Sequence, residues 1–152
     1  MLTDIDHVGI ATSDLEAAVQ RYREAFGVEP AHRETVEDQG VDEVMFAIGT
    51  SYIQLLGARG PDTPVGKFLA ARGEGIHHIA YRVDDIEAVL ARLKEGGHRL
   101  IDEHGRPGST GGWSRRLSST ARVRWYAGDS RAASIAAMAR YRASTGASSA
   151  PA

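Results

Sequence analysis

Two histidines stand 71 residues apart at the same point of two matching segments, Ile5-Asp6-His7-Val8-Gly9-Ile10-Ala11 and Ile76-His77-His78-Ile79-Ala80-Tyr81-Arg82-Val83. Neutral imidazole is a common ligand of divalent metals, although a lone strand histidine is more often a packed or solvated residue. Two copies that each carry a histidine on the inward strand phase shift that balance. Pseudo-symmetric units packed side by side bring His7 and His78 to one cavity, where they can share a metal. Gln54 interrupts the apolar run Tyr52-Ile53-Gln54-Leu55-Leu56, where an unpartnered buried amide costs about 1–3 kcal/mol. A metal on its oxygen relieves that cost, and so does a place on the open face of an edge strand. Glu43, in Asp42-Glu43-Val44-Met45-Phe46, reads by itself as a solvated strand residue. Turned toward the cavity, it is a carboxylate base that can take a proton next to a metal-polarised carbonyl. His77 has the opposite strand phase and reads as a structural or supporting residue. His32, His98 and His104 have no such pairing and read as solvated.

The elements that must hold these groups repeat with them. Alternation in the first segment predicts a strand, with Val8 and Ile10 on one face and Ile5, His7 and Gly9 on the other. Ser13 and Glu16 then form a capping box, Leu15, Val19, Tyr22 and Phe26 make one helical stripe, and Gly27 stops the helix. In the second copy Asp84 and Glu87 supply the capping box and Ile86, Val89, Leu90 and Leu93 the stripe, ended by Gly96-Gly97. At the 71-residue offset the copies share seven identities over 23 positions, an internal repeat. Between them the pattern predicts strands at about 29–34, 41–48 and 52–56 and a short helix around Lys67 to Arg72. Each unit is therefore β-α-β-β-β.

Composition sets the outer bounds. A chain of 152 residues, 42% hydrophobic and 25% charged, is ordinary for one globular domain. The net charge of −2 gives no argument for nucleic acid or a membrane surface as partner. Without cysteine, a disulfide scaffold, a thiolate zinc site and a cysteine nucleophile are excluded. No apolar run reaches the roughly 18 residues of a membrane helix, and the N-terminus lacks a basic-then-apolar signal, so a soluble cytoplasmic protein is the expectation. The average conceals a break. Residues up to Glu103 carry 10 Lys and Arg against 19 Asp and Glu; the remaining 49 carry 8 Arg, no Lys, no Glu and only Asp129.

Ile5-Asp6-His7-Val8-Gly9-Ile10-Ala11, Gln39-Gly40-Val41-Asp42-Glu43, Val65-Gly66-Lys67-Phe68-Leu69 and Gly73-Glu74-Gly75-Ile76-His77-His78-Ile79-Ala80 resemble the methylmalonyl-CoA epimerases of the vicinal oxygen chelate superfamily, which also holds glyoxalases and extradiol dioxygenases. The likeness runs from about Leu2 to about Gly112. It implies an α+β fold of paired βαβββ modules, module one at about 2–60 and module two from about 75. It implies a divalent metal, cobalt first and manganese, nickel or zinc as alternatives, on His7, Gln54 and His78 plus a glutamate from the last strand. It implies Glu43 as one of two acid/base carboxylates in an isomerase of propionate metabolism that interconverts (2R)- and (2S)-methylmalonyl-CoA. An acyl-CoA substrate and a homodimer come with it; Lys67 and Arg106 are candidate phosphate contacts.

Residues 113–152 depart from that pattern. No Glu follows Glu103, and the repeat sets Trp125, which ligates no metal, opposite Gln54; Asp129 is the one acid near it. This Arg/Ser/Ala-rich stretch reads as translation of a GC-rich gene in another frame, or else as a divergent end whose residues 132–141 are helical. The expectation is a second module that lacks its last two strands, leaving an open edge and an incomplete cavity wall. Two alternatives to the epimerase follow: a glyoxalase-like metal-dependent lyase, and an inactive remnant that binds metal or a CoA ester.

Overall fold

The computed structural model describes residues 2–98, 100–104, 117–124 and 134–140. Module one is β1 (Leu2–Thr12), α1 (Leu15–Phe26), β2 (Pro30–Val36), β3 (Val41–Ile48) and β4 (Ser51–Ala58), with a 3-10 turn at Glu37–Gln39. After α2 (Pro64–Arg72), module two follows as β5 (Gly75–Val83), α3 (Ile86–Glu95), β6 (Leu117–Arg124) and β7 (Ser134–Arg140). The described strands form one seven-stranded sheet in the order β2-β3-β4-β1-β5-β7-β6. The modules meet where β1 runs antiparallel to β5. In each, the first strand pairs in parallel with the last, β1 with β4 and β5 with β7.

The expectation that module two lacks its last two strands is corrected. β7 stands in the place of β4, and β6 pairs with it antiparallel in the place of β3. Among the described residues, module two has no counterpart of β2. Residues 134–140 form a strand, not the helix considered for 132–141. A ten-residue helix is marginal on its own, whereas the free edge of β5 offers a complete ladder of backbone partners. Trp125, Asp129 and Arg106 lie outside the described residues.

Alternation divides the sheet into two faces. On one, Val44, Phe46 and Leu55 pack against Ala18 and Val19 of α1, and Val83 packs against Ile86 and Leu90 of α3. Tyr22 stacks on Phe46 at 5.2 Å, but Phe26, the last residue of the expected stripe, is 69% exposed. The opposite face carries the polar residues of interest, closed at one end where α2 sets Val65 and Phe68 on Ala11, Val41 and Leu56.

The caps fall one residue later than the sequence pattern suggests. Asp14 accepts from Ala17 N at 2.9 Å and Asp85 from Ala88 N at 3.1 Å. Ser13 is drawn away because its N–H and hydroxyl both donate to Glu74 Oε1. α1 ends at Gly27 in the left-handed conformation, φ 63°. In α2 the close approach of backbone explains Gly66: a Cβ there would lie 2.2 Å from Gly60 O and 2.9 Å from Pro61 O. Gly66→Ala is expected to lower stability by about 1–3 kcal/mol, as overpacking against backbone does, and thermal denaturation reads it.

Candidate metal centre and active site

β1 is the axis of the site. Its inward residues His7, Gly9 and Ala11 pair with Tyr52, Gln54 and Leu56 of β4 on one side, and Gly9 also pairs with His78 of β5 on the other. His7 and His78 meet as the repeat anticipates, Nε2 to Nε2 at 3.0 Å and rings edge-on. Gly9 makes room for this. A Cβ on it would stand 2.4 Å from His78 Cε1, so the ring occupies the space that any other residue would fill.

Both rings are desolvated. Burial first, then the neighbouring His7 and His77, hold the His78 imidazole well below its usual range, so it is neutral and a lone pair is available. His7 is 3% exposed, and its Nδ1 lies 3.0 Å from Asp6 Oδ2. Strict alternation places Asp6 on the far face. The pairing slips between Ile5 and His7, however, and this irregularity brings neighbours of opposite phase together. A second slip on β5, where Gly9 pairs with His78 and Ile10 with Ile76, turns His77 the same way. His77 Nδ1 lies 2.9 Å from His78 Nδ1, and its ring stands edge-on to Phe68 at 5.0 Å. The opposite phase read for His77 is thus corrected, while its supporting place beside His78 is what the structure has.

Gln54 and Glu43 share this face as diagonal neighbours across β3 and β4. Gln54 Nε2 donates to Glu43 Oε2 at 2.7 Å. Gln54 Oε1 is buried and has no hydrogen-bond partner, a polar atom left over after the fold is complete. Burial first, and then the Glu34 carboxylate, push the Glu43 carboxyl up to about 7; the smaller opposing pulls come from His32 and the Gln54 bond. Glu34 is in register with Glu43 on β2 and lies 3.1 Å from His32. His32 is therefore half-buried within this polar strip, a correction to its reading as solvated. His98 and His104 are exposed. Lys67 lies on the exposed side of α2.

The two facing imidazoles and an orphaned amide oxygen suit a divalent cation such as cobalt, manganese, nickel or zinc. Among the described residues, no group of three His, Asp or Glu side chains converges as a metal site. The register also identifies the position that mirrors Gln54. Gly9 pairs with Gln54 in module one, and its repeat partner Ala80 pairs with Ala136 in module two. The mirrored residue is thus Ala136 rather than Trp125, because the second module carries a longer connection, and alanine has no donor atom. Asp6, Arg82 and Glu34 were missed in the sequence. The Asp6-His7 adjacency was the one visible signal, and alternation argued against it.

No helix among the described residues is long and apolar enough to cross a membrane. The profile of the Glyoxalase/Bleomycin resistance protein/Dioxygenase superfamily matches residues 6–115. The ethylmalonyl-CoA/methylmalonyl-CoA epimerase of Cereibacter sphaeroides is 38% identical over 115 residues, covering 70% of this chain and 86% of that protein. A methylmalonyl-CoA epimerase solved with methylmalonyl-CoA and ammonium superimposes with a TM-score of 0.76 at 37% identity, over 92% of this chain and 96% of that one. The Mycobacterium tuberculosis methylmalonyl-CoA epimerase gives a TM-score of 0.75 at 31% identity, over 93% and 90% of the two chains. By domain profile, by sequence identity over most of both chains and by overall fold, the chain belongs to the methylmalonyl-CoA epimerase family of the glyoxalase superfamily.

Proposed function

We propose that this chain removes and returns the C2 proton of methylmalonyl-CoA, with Glu43 as acid/base and His7, Gln54 and His78 holding a divalent metal, cobalt(II) first among the candidates. The observation that carries this reading is Glu43 itself. Its carboxyl is buried beside the orphaned Gln54 amide and pushed up to about 7, where a general base both holds and releases a proton near neutral pH. The bound metal would supply a Lewis acid for the thioester oxygen and so favour the enolate. Gln54 keeps Glu43 oriented, and the apolar wall of Ala11, Leu56 and Val65 keeps water from its carboxylate. Lys67 serves as a phosphate contact for the CoA moiety. The active form is a homodimer in the cytoplasm.

Ala136 favours a narrower form of the same chemistry. Inversion needs an acid/base on each face of C2, and the position mirroring Gln54 supplies none. We read residues 113–152 as another frame of the coding DNA, a segment whose composition departs from that of residues 2–112 although its strands β6 and β7 join the same sheet; if neither alternative frame encodes a strand ending in Glu, that reading fails. The functional test is proton exchange. The protein, loaded with cobalt, is incubated with one pure epimer of methylmalonyl-CoA in D₂O, and deuterium at C2 and configuration are followed against a protein-free control. Exchange with inversion supports the epimerase, and exchange with retention supports one-sided action by Glu43. No exchange above the control leaves a metal- or CoA-ester-binding remnant, and preference for a hemithioacetal points to a glyoxalase-like lyase.

A further inference from the structure

The metal reading leaves unexplained a buried ionic cluster behind His7, on the side away from His78. Asp6 is 2% exposed and Arg82 7%, both far too buried to be incidental surface charges. Arg82 reaches across from module two and uses its whole guanidinium edge. Nε donates to Asp6 Oδ1 at 2.7 Å, Nη1 donates to Asp4 Oδ2 at 2.8 Å, and Nη2 donates to Thr50 O in the β3–β4 turn. A planar fork anchored at three points fixes the plane of the Asp6 carboxylate. The other oxygen, Oδ2, faces His7 Nδ1 at 3.0 Å.

We infer that Asp6, held by Arg82, is the positioning residue of the His7–His78 pair: it fixes His7 as the Nδ1–H tautomer and leaves the Nε2 lone pair bare toward His78. A carboxylate can only accept, so the ring nitrogen facing it must donate, and the bare nitrogen is the one 3.0 Å from His78 Nε2. This inference rests on the metal reading for its purpose, because a bare Nε2 is what a cation requires. It also gives the module boundary a role. The second module contributes His78 as a ligand and, four residues on, Arg82 as the clamp of the first module's ligand.

The closing experiment has two independent arms. In the metal-free wild-type chain labelled with ¹⁵N, the His7 ring is expected to show a protonated-type Nδ1 and a lone-pair-type Nε2; the opposite pattern overturns the inference without any variant. In cobalt titrations, His7→Ala tests the metal centre itself: if it binds cobalt as wild type does, the metal reading fails, whatever the tautomer. Given binding that depends on His7, Asp6→Asn is expected to weaken cobalt roughly 10–100-fold, the usual effect of losing a ligand's outer partner, and to turn the His7 ring signals toward Nε2–H. Arg82→Lys, which keeps the charge but loses the fork, is expected to fall between the two. Wild-type tautomer and cobalt affinity within twofold in Asp6→Asn overturn the inference.

Discussion

Replacing Glu43 by glutamine should make the protein more stable above neutral pH while removing its exchange chemistry. The folded state holds the Glu43 carboxyl at about 7 against an ordinary 4.5. Between those values the folded protein keeps a proton that the unfolded chain has released. The unfolded state therefore binds fewer protons, and wild-type stability falls as pH rises through that window. Above it the full cost of ionising a buried carboxyl stands, about 3 kcal/mol at 1.36 kcal/mol per unit. Glu43→Gln has no ionisable group, keeps the shape, and still offers an oxygen to Gln54 Nε2. The variant is expected to match wild type near pH 4.5 and exceed it by about 3 kcal/mol at pH 8–9, read from urea unfolding of the metal-free proteins. In the same protein, loss of the general base is expected to lower C2 proton exchange by about 10²–10⁴-fold. Equal pH profiles of stability would mean that Glu43 is not desolvated, and undiminished exchange would take the base role from it.

Gly9→Ala is the second large effect, and it should separate ligand geometry from fold. The added methyl would sit 2.4 Å from His78 Cε1, 2.6 Å from Nδ1 and 3.0 Å from Nε2. Gly9 lies in the middle of β1 with strands on both sides, so the backbone is the stiffer partner and the imidazole must swing away. The methyl costs about 1–3 kcal/mol as overpacking, and the displaced ring no longer faces His7. Cobalt binding is expected to fall by more than the roughly 10–100-fold that follows loss of an outer partner, since a ligand itself is misplaced. A calorimetric titration beside a thermal melt reads both quantities. Unchanged cobalt affinity in a folded Gly9→Ala protein would remove His78 from the ligand set.

Local pattern was enough for the repeat. The alternation of Ile5 to Ala11, a capping pattern set within one residue of Asp14 and Asp85, and the glycine stops after each helix specify two units that open strand-then-helix, because strand and helix periods are local properties of the chain. The same periods place Val44, Phe46 and Leu55 on the helix side and Glu43 and Gln54 on the other, so much of the site was legible. Local pattern failed wherever pairing between strands departs from its own period. The slips at Ile5/His7 and at His77 bring Asp6 to His7 and His77 to His78, and a single-strand reading cannot contain them, since a bulge is defined by its partner. His32 and Glu34 became part of the site only because β2 pairs with β3 in register with Glu43. Arg82 aligns with Ala11 in the repeat and carried no signal. Its role exists because the antiparallel join of β1 and β5 sets it beside Asp6 and Asp4. The final strands show the same limit from the other side. Composition argued against residues 117–140, yet the free backbone edge of β5 recruits β7 and then β6 into the ladder. The sequence by itself determined which residue types fill those strands, and so that no carboxylate stands on β7. Tertiary structure alone decided that Ala136 is the residue opposite Ala80, because register is set by hydrogen bonds between strands far apart in the chain.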